Sequence, residues 1–146
     1  MNKFFLLFYI LILVTLTGCG GGNETINISM QCDTDCNESN AVVINIYQLK
    51  NSDKFSHASF ESLVRDPDGT LGDDLIAGAK YEKLMTPDET FKLNKYEIQK
   101  DATYIGIVGD FHTPAKDGWF QVIPVKDIDD FVIKIHSNSL SVQKED

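Results

Sequence analysis

The stretch that decides the fold is Ala41-Val42-Val43-Ile44-Asn45-Ile46-Tyr47-Gln48-Leu49. Most of its side chains are β-branched or aromatic, the types that favour β-strands. Successive side chains of a strand point to opposite faces, and here apolar side chains fall on both faces. Because both faces need to be covered, residues 41–49 are predicted to form a central strand of a sheet.

Similar short stretches lie on both sides of this strand. They predict further strands at residues 25–30, 81–85, 89–93, 104–111, 119–125, 131–135 and 140–142. The strands at 81–85 and 89–93 are expected at sheet edges, and Gly106 and Gly109 predict a close backbone approach or a bulge. Many short strands of this kind predict an all-β fold, a two-sheet β-sandwich.

One segment departs from the strand pattern. Residues 52–65 carry apolar side chains at helical spacing and predict a short helical insertion. The turn signal Asp66-Pro67-Asp68-Gly69 is expected to end that helix. Residues 71–78 are predicted to be irregular or briefly helical.

The N-terminus has the pattern of an export signal. Lys3 precedes an apolar stretch from residue 4 to residue 16. The sequence Leu16-Thr17-Gly18-Cys19 then resembles the lipobox of bacterial lipoproteins, in which the cysteine is acylated and becomes the mature N-terminus. We therefore predict a signal peptide at 1–18, a flexible lipid-anchored tether at 19–24 and the β-sandwich domain at 25–146. The alternative is an uncleaved membrane-spanning helix, but several glycines between positions 18 and 22 weaken such a helix.

Charge limits the classes of partner. The full chain has a net charge of −9, and removing residues 1–18 takes away only one charge, that of Lys3, which leaves −10. Nucleic-acid binding requires clustered basic residues, so this acidic domain is not expected to bind nucleic acid. Polybasic attachment to anionic lipid is equally unexpected.

The remaining two cysteines, Cys32 and Cys36, form a candidate disulfide. Export would place them in an oxidising compartment. In a continuous strand their Cα atoms would lie about 13 Å apart, whereas a disulfide needs roughly 4.4–6.8 Å, so a bridge requires residues 32–36 to turn back. Free thiols and a metal site are the alternatives, although two cysteines without a nearby histidine supply only half of a zinc site.

No sequence motif points to catalysis. Asp110-x-His112 could be half of an acid–base pair or of a metal site, but it has no partner motif in the sequence. Asp66-x-Asp68-Gly69 only weakly matches a calcium loop, because Ala77 stands where the twelfth-position glutamate belongs. We expect no enzyme activity, no cofactor, no resident metal and no small-molecule substrate.

Several motifs, in order along the chain, resemble one family. After the lipobox come residues 41–49, then Phe55-x4-Phe60-x2-Leu63 and Leu71-Gly72-x-Asp74-Leu75. Thr86-Pro87-Asp88-Glu89-Thr90 lies where the family has a Pro-Gly-Glu turn. Residues 101–111 and 118–125 resemble its Tyr-Ile-Gly-Val-Val-Ala-x-Phe and Trp-Arg-x-Val-Val-Pro strands. The family is TssJ (VasD, Lip), the lipoproteins of type VI secretion, and the resemblance covers nearly the whole mature chain.

This resemblance implies a transthyretin-like sandwich held by Cys19 on the periplasmic face of the outer membrane. It implies a non-enzymatic protein that binds the periplasmic C-terminal region of TssM, an IcmF-like inner-membrane protein, to assemble the trans-envelope complex. By position, the family's partner-binding loop corresponds to Asp33, Thr34, Asp35, Asn37, Glu38, Ser39 and Asn40. This loop is shorter than is usual in the family and lacks proline. Phe120 stands where many family members have arginine. The alternative is a transthyretin-like periplasmic lipoprotein that binds a peptide or sugar.

Overall fold

The computed structural model describes residues 21–145, and these form eight strands. The strands are β1 (Glu24–Cys32), β2 (Val42–Leu49), β3 (Leu75–Met85), β4 (Thr90–Ile98), β5 (Tyr104–Asp110), β6 (Phe120–Pro124), β7 (Phe131–Ile135) and β8 (Leu140–Lys144). They form two four-stranded sheets, in the orders β4-β1-β7-β8 and β3-β2-β5-β6. The prediction of a two-sheet β-sandwich is confirmed.

The pairing of the strands agrees with the patterns in the sequence. β2 lies between β3 and β5, as its two apolar faces predicted. β3 and β4 are both edge strands, but they belong to different sheets, so residues 86–89 cross from one sheet to the other. β1 and β7 are parallel, while the other neighbouring pairs are antiparallel.

The core lies between the two sheets. Alternate side chains of the central strands point inward and are fully buried: Ile28, Met30, Ile44, Ile46, Ile105, Ile107, Ile133 and Ile135. Burial of each large apolar side chain contributes about 1.5–3 kcal/mol. This layer, made from strands of both sheets, holds the sandwich together.

The sequence predicted one continuous helix at 52–65, and this prediction is wrong. Residues 53–71 form three short helices: α1 (Asp53–His57), α2 (Phe60–Arg65) and α3 (Pro67–Leu71). Ala58 is extended (φ −70°, ψ 150°), and Ser59 starts α2 by accepting a hydrogen bond from the Ser62 N–H at 3.1 Å. Asp66 ends α2 as predicted, but its side chain also caps α3. The predicted irregular piece at 71–78 is wrong from Leu75 onward, where β3 begins.

The helical insertion packs on the outer face of the second sheet. Phe55 is fully buried and its ring lies against Gly106, where a Cβ atom would come within 2.6 Å of the ring. The close backbone approach predicted at this glycine is therefore confirmed. The Phe60 ring lies 5.3 Å from that of Trp119, edge to face.

Candidate functional site

Four connections of residues 21–145 meet at one end of the sandwich. They are residues 33–41, 86–89, 111–119 and 136–139, and we call this the loop end. Glu24, the first residue of β1, lies at the opposite end, which we call the tether end. With nine residues in β1 and about 3.3 Å per step, the two ends are about 26 Å apart.

The β1–β2 connection at the loop end contains a disulfide between Cys32 and Cys36. Their Cα atoms lie 5.6 Å apart, so the chain turns back between them as a bridge requires. The Cys36 N–H donates to the Asp33 carbonyl at 3.1 Å and closes this turn. Within residues 21–145, no group of three or more His, Cys, Asp or Glu side chains could hold a metal ion.

A left-handed turn follows the disulfide. Asn37, Glu38 and Ser39 have φ of 46°, 56° and 64° in succession. Such a conformation costs roughly 1–2 kcal/mol per residue outside glycine, so the surrounding structure must hold it. Two backbone hydrogen bonds to the β7–β8 connection do so: Asn37 N–H donates to His136 O and Glu38 N–H to Ser137 O, both at 3.1 Å.

The Asn37 side chain is buried rather than displayed. Only 4% of the residue is exposed, although the sequence placed it among the partner contacts. Its Nδ2 donates to the Ala41 carbonyl at 2.6 Å, and its Oδ1 accepts from the His112 N–H at 2.7 Å. Asn37 therefore fixes the β1–β2 connection to the β5–β6 connection from inside.

The exposed side chains of the loop are tied to all three neighbouring connections. The contacts are Asp33 Oδ2 to His136 Nδ1 (2.7 Å), Thr34 Oγ1 to Asp88 Oδ1 (2.9 Å) and Thr113 Oγ1 to Glu38 Oε1 (2.5 Å). Asp35, Ser39 and Asn40 are exposed beside them. The candidate loop is one part of a surface built from four connections.

Sequence reasoning missed the residues that the other three connections supply. Asp88, His112, Thr113 and His136 lie between 54 and 103 positions away from their partners in the β1–β2 connection. No local pattern marks such contacts. Only the strand order, which brings these connections to the same end, could have suggested them.

A cleft of about 490 Å³ opens between the β1–β2 connection and the end of β5. Its lining residues are Asn37, Asn40, Ala41, Asp110, Phe111 and His112. Burial raises the pKa of the Asp110 carboxyl above its usual range. For acid–base chemistry Asp110 and His112 would need a third titratable group beside them, and the residues that line this cleft include none.

The predicted lipidation site, Cys19, and the predicted signal peptide at 1–18 lie outside the described residues. Among residues 21–145, no helix has the length and hydropathy needed to cross a bilayer. Gly21 and Gly22 precede β1, and a Cβ atom on either would meet nothing within 4 Å.

The fold and the site together define a class: a small two-sheet β-sandwich with a helical insertion on one face and a disulfide-closed loop at one end. The chain also matches the T6SS-SciN family model, described as type VI secretion lipoprotein, VasD, EvfM, TssJ, over residues 24–140. It belongs to this family of type VI secretion lipoproteins.

Solved structures share the same fold. The T6SS lipoprotein TssJ1 from Pseudomonas aeruginosa aligns with a TM-score of 0.76 at 18% identity, over 85% of this chain and 98% of that one. Lip from Serratia marcescens, a membrane-bound component of the type VI secretion system, gives 0.72 at 17%, over 85% and 99%. A chain in the structure of the TssM C-terminal domain from EAEC gives 0.71 at 21%, over 83% and 98%. A search of curated protein sequences found no significant match.

Proposed function

We propose that this protein is the outer-membrane lipoprotein of a type VI secretion membrane complex and binds the periplasmic C-terminal region of TssM. The observation that carries the proposal is the family match over residues 24–140. The similarity to a chain in a TssM C-terminal domain structure supports the choice of partner. In this role the protein is an assembly component and not an enzyme.

The arrangement of the two ends supports a bridging role. The lipid on Cys19 would hold the tether end at the membrane, and the loop end would point away from it by about the 26 Å length of β1. A partner rooted in the inner membrane approaches from that side. The exposed Asp33, Thr34, Asp35, Glu38, Ser39 and Asn40 are then the contact residues, with Asn37 as the residue that positions them.

The rigidity of the loop also favours binding. A flexible loop loses conformational entropy when it docks, at roughly 0.5–1.5 kcal/mol per immobilised side chain. Here the disulfide and the hydrogen bonds to His136, Ser137 and His112 order the loop before any partner arrives. Binding therefore requires little further loss of conformational entropy in the loop.

Co-purification with the TssM periplasmic region tests the proposal. The full-length lipoprotein in detergent should retain this region, and the double variant Asp35→Lys with Glu38→Lys should lose it. The matched control is Asp101→Lys, which reverses an exposed acidic residue in the β4–β5 connection at the tether end and should bind normally. Failure of the wild-type protein to retain TssM would refute the proposed partner.

The anchor has its own test. Cys19→Ser should release the domain from membranes in fractionation, because the acyl chains provide the attachment, at about 0.8 kcal/mol per buried CH₂. Gly20 rather than aspartate after the cysteine fits outer-membrane sorting in this kind of lipoprotein. Retention of the Cys19→Ser protein in the membrane fraction would favour the helical anchor instead.

A further inference from the structure

Asp110 is a carboxylate without a partner among the residues that the structure describes. It ends β5 and lines the cleft at the loop end. Within residues 21–145 neither a hydrogen bond nor a neighbouring cation offsets the burial that raises its pKa. A half-buried charge in this state costs free energy unless a donor or cation reaches it.

A small apolar patch made by Val43 and Leu84 lies beside this carboxylate, and we call it the Val43–Leu84 step. Val43 of β2 is paired with Leu84 of β3 on one side and with Asp110 of β5 on the other. Directly paired residues project to the same face of a sheet, so the three form a row across the outer face of the second sheet. Leu84 is 53% exposed and is the exposed large hydrophobic residue of the described chain.

The helical insertion leaves this row uncovered. Its Phe55 ring packs on Gly106 and Tyr47, four residues farther along β5 and β2 from the Asp110–Val43 pair. The row therefore borders the open cleft beside Asn40 and Ala41. An apolar step, a free carboxylate and an open cleft lie next to each other at the loop end.

We propose that the cleft and the Val43–Leu84 step form a docking site for one lysine or arginine side chain of the protein partner, with Asp110 as its counter-ion. The aliphatic stem would lie on Leu84 and Val43, and the charged head would enter the cleft. Lysine and arginine combine these two parts. The proposal rests on the proposed function and adds to it contacts with Val43, Leu84 and Asp110, which lie beside the residue 33–40 loop.

Charge complementarity argues for a basic group as the occupant. Among the described residues Asp110 has no counter-ion of its own, and the exposed acid Glu38 lies at the rim of the cleft. Of the lining residues, His112 alone can become cationic. An acidic side chain would repel the half-buried Asp110 carboxylate, and a purely apolar one would take water away from it without supplying a compensating charge.

Binding of the full-length lipoprotein in detergent to the TssM periplasmic region tests the site. Asp110→Asn and Leu84→Ser should each weaken binding about tenfold, the effect of losing one contact of about 1.4 kcal/mol. The matched control is Glu82→Gln, an exposed acid of the same face with Lys80 3.6 Å away, which should bind within about twofold of wild type. Asp110→Asn removes a half-buried negative charge, so it should also raise the unfolding midpoint at neutral pH. A loss of binding in this variant then cannot come from misfolding.

The outcomes separate the two proposals. If Asp35→Lys with Glu38→Lys abolishes binding while Asp110→Asn and Leu84→Ser bind normally, the proposed function stands and the docking site is refuted. If the wild-type protein does not bind TssM, the proposed function fails. If the full chain instead forms a concentration-dependent dimer that Asp110→Asn dissociates, the occupant is a second copy and the commitment to another protein is wrong.

A second measurement does not depend on TssM. Millimolar N-acetyl-arginine amide should shift the NMR signals of backbone amides at residues 109–112 and at Leu84 in the full chain in micelles. The uncharged N-acetyl-citrulline amide should not, and neither probe should shift them in Asp110→Asn. Equal shifts with both probes, or none with arginine, would overturn the assignment of Asp110 as a counter-ion.

Discussion

At the scale of single residues, Asn37 connects three parts of the loop end. Its backbone N–H binds the β7–β8 connection, its Nδ2 binds Ala41, and its Oδ1 binds the His112 N–H of the β5–β6 connection. Asparagine also accepts the left-handed backbone conformation more readily than most residues. Asparagine at this position therefore both tolerates the left-handed backbone and supplies the hydrogen bonds that hold the loop.

Replacing Asn37 should destabilise the protein. Asn37→Ala leaves the His112 N–H and the Ala41 carbonyl without their partner, at a cost of about 1–3 kcal/mol in the free energy of unfolding. Urea denaturation followed by circular dichroism measures this. The control is Asn40→Ala, because Asn40 is exposed and water can replace its hydrogen bonds. Equal effects of the two variants would contradict the assigned role.

Tyr47 gives a prediction for alkaline pH. Burial raises its pKa to about 12, with smaller contributions from Glu82 and Asp68. Because the folded state holds the proton more tightly than the unfolded chain does, this stabilisation is complete below pH 10 and is lost as the pH rises towards 12. Burial also raises the pKa of Tyr96, so absorbance titration of Tyr47→Phe should lose one of the late-ionising tyrosines and keep the other. An unchanged titration curve in that variant would contradict the prediction.

At the scale of elements, the sequence predicted strands better than it predicted contacts between them. β2 was predictable because its apolar residues occupy both faces, a local property of nine residues. The division of the 52–65 helix was not predictable from the sequence pattern, because the chain becomes extended at Ala58 and alanine is a strong helix former that signals no break. The hydrogen bonds of the loop end depend on strand order, which no single segment carries.

The fit of the helical insertion on the sheet depends on Gly106. In Gly106→Ala the new methyl group would meet the Phe55 ring at 2.6 Å, so we expect a loss of about 1–3 kcal/mol from overpacking. Phe55→Leu alone should lower the free energy of unfolding. In the Gly106→Ala background the same change should lower it less. A double-mutant cycle of urea unfolding measures this coupling. Strict additivity would show that the ring does not press on this backbone.

The disulfide should contribute about 2 kcal/mol to stability, the value that loop-closure entropy gives for a five-residue loop. The double variant Cys32→Ala with Cys36→Ala should lose this amount in urea unfolding. Wild type treated with a reducing agent should unfold near the double variant, and the same agent should leave the variant unchanged. Since the loop would also become mobile, the variant should bind the TssM region more weakly. Unchanged stability after reduction would show that hydrogen bonds alone hold the turn.

At the scale of the whole molecule, the sandwich would separate the two proposed tasks, membrane attachment and partner binding. The predicted tether would enter at Glu24, and the four connections that form the candidate surface lie at the other end of β1. The sequence predicted the first task through the lipobox and the second through the family resemblance, which by position assigns partner binding to residues 33–40. The two regions lie at opposite ends because a single strand, β1, carries the chain from the tether end to the loop end.

This separation predicts an orientation on the membrane. A fluorophore on Asp101→Cys at the tether end should be quenched by a nitroxide in the lipid headgroups when the lipoprotein is reconstituted in vesicles. A fluorophore on Asp117→Cys in the β5–β6 connection at the loop end, separated from the tether end by about the 26 Å length of β1, should be quenched much less. Both positions are exposed, so both accept the label without disturbing the core. In the Cys19→Ser background neither label should be quenched, because the domain no longer meets the membrane. Equal quenching of the two labels in the lipidated protein would mean that the sandwich lies flat, and the loop end would then not face a partner from the inner membrane.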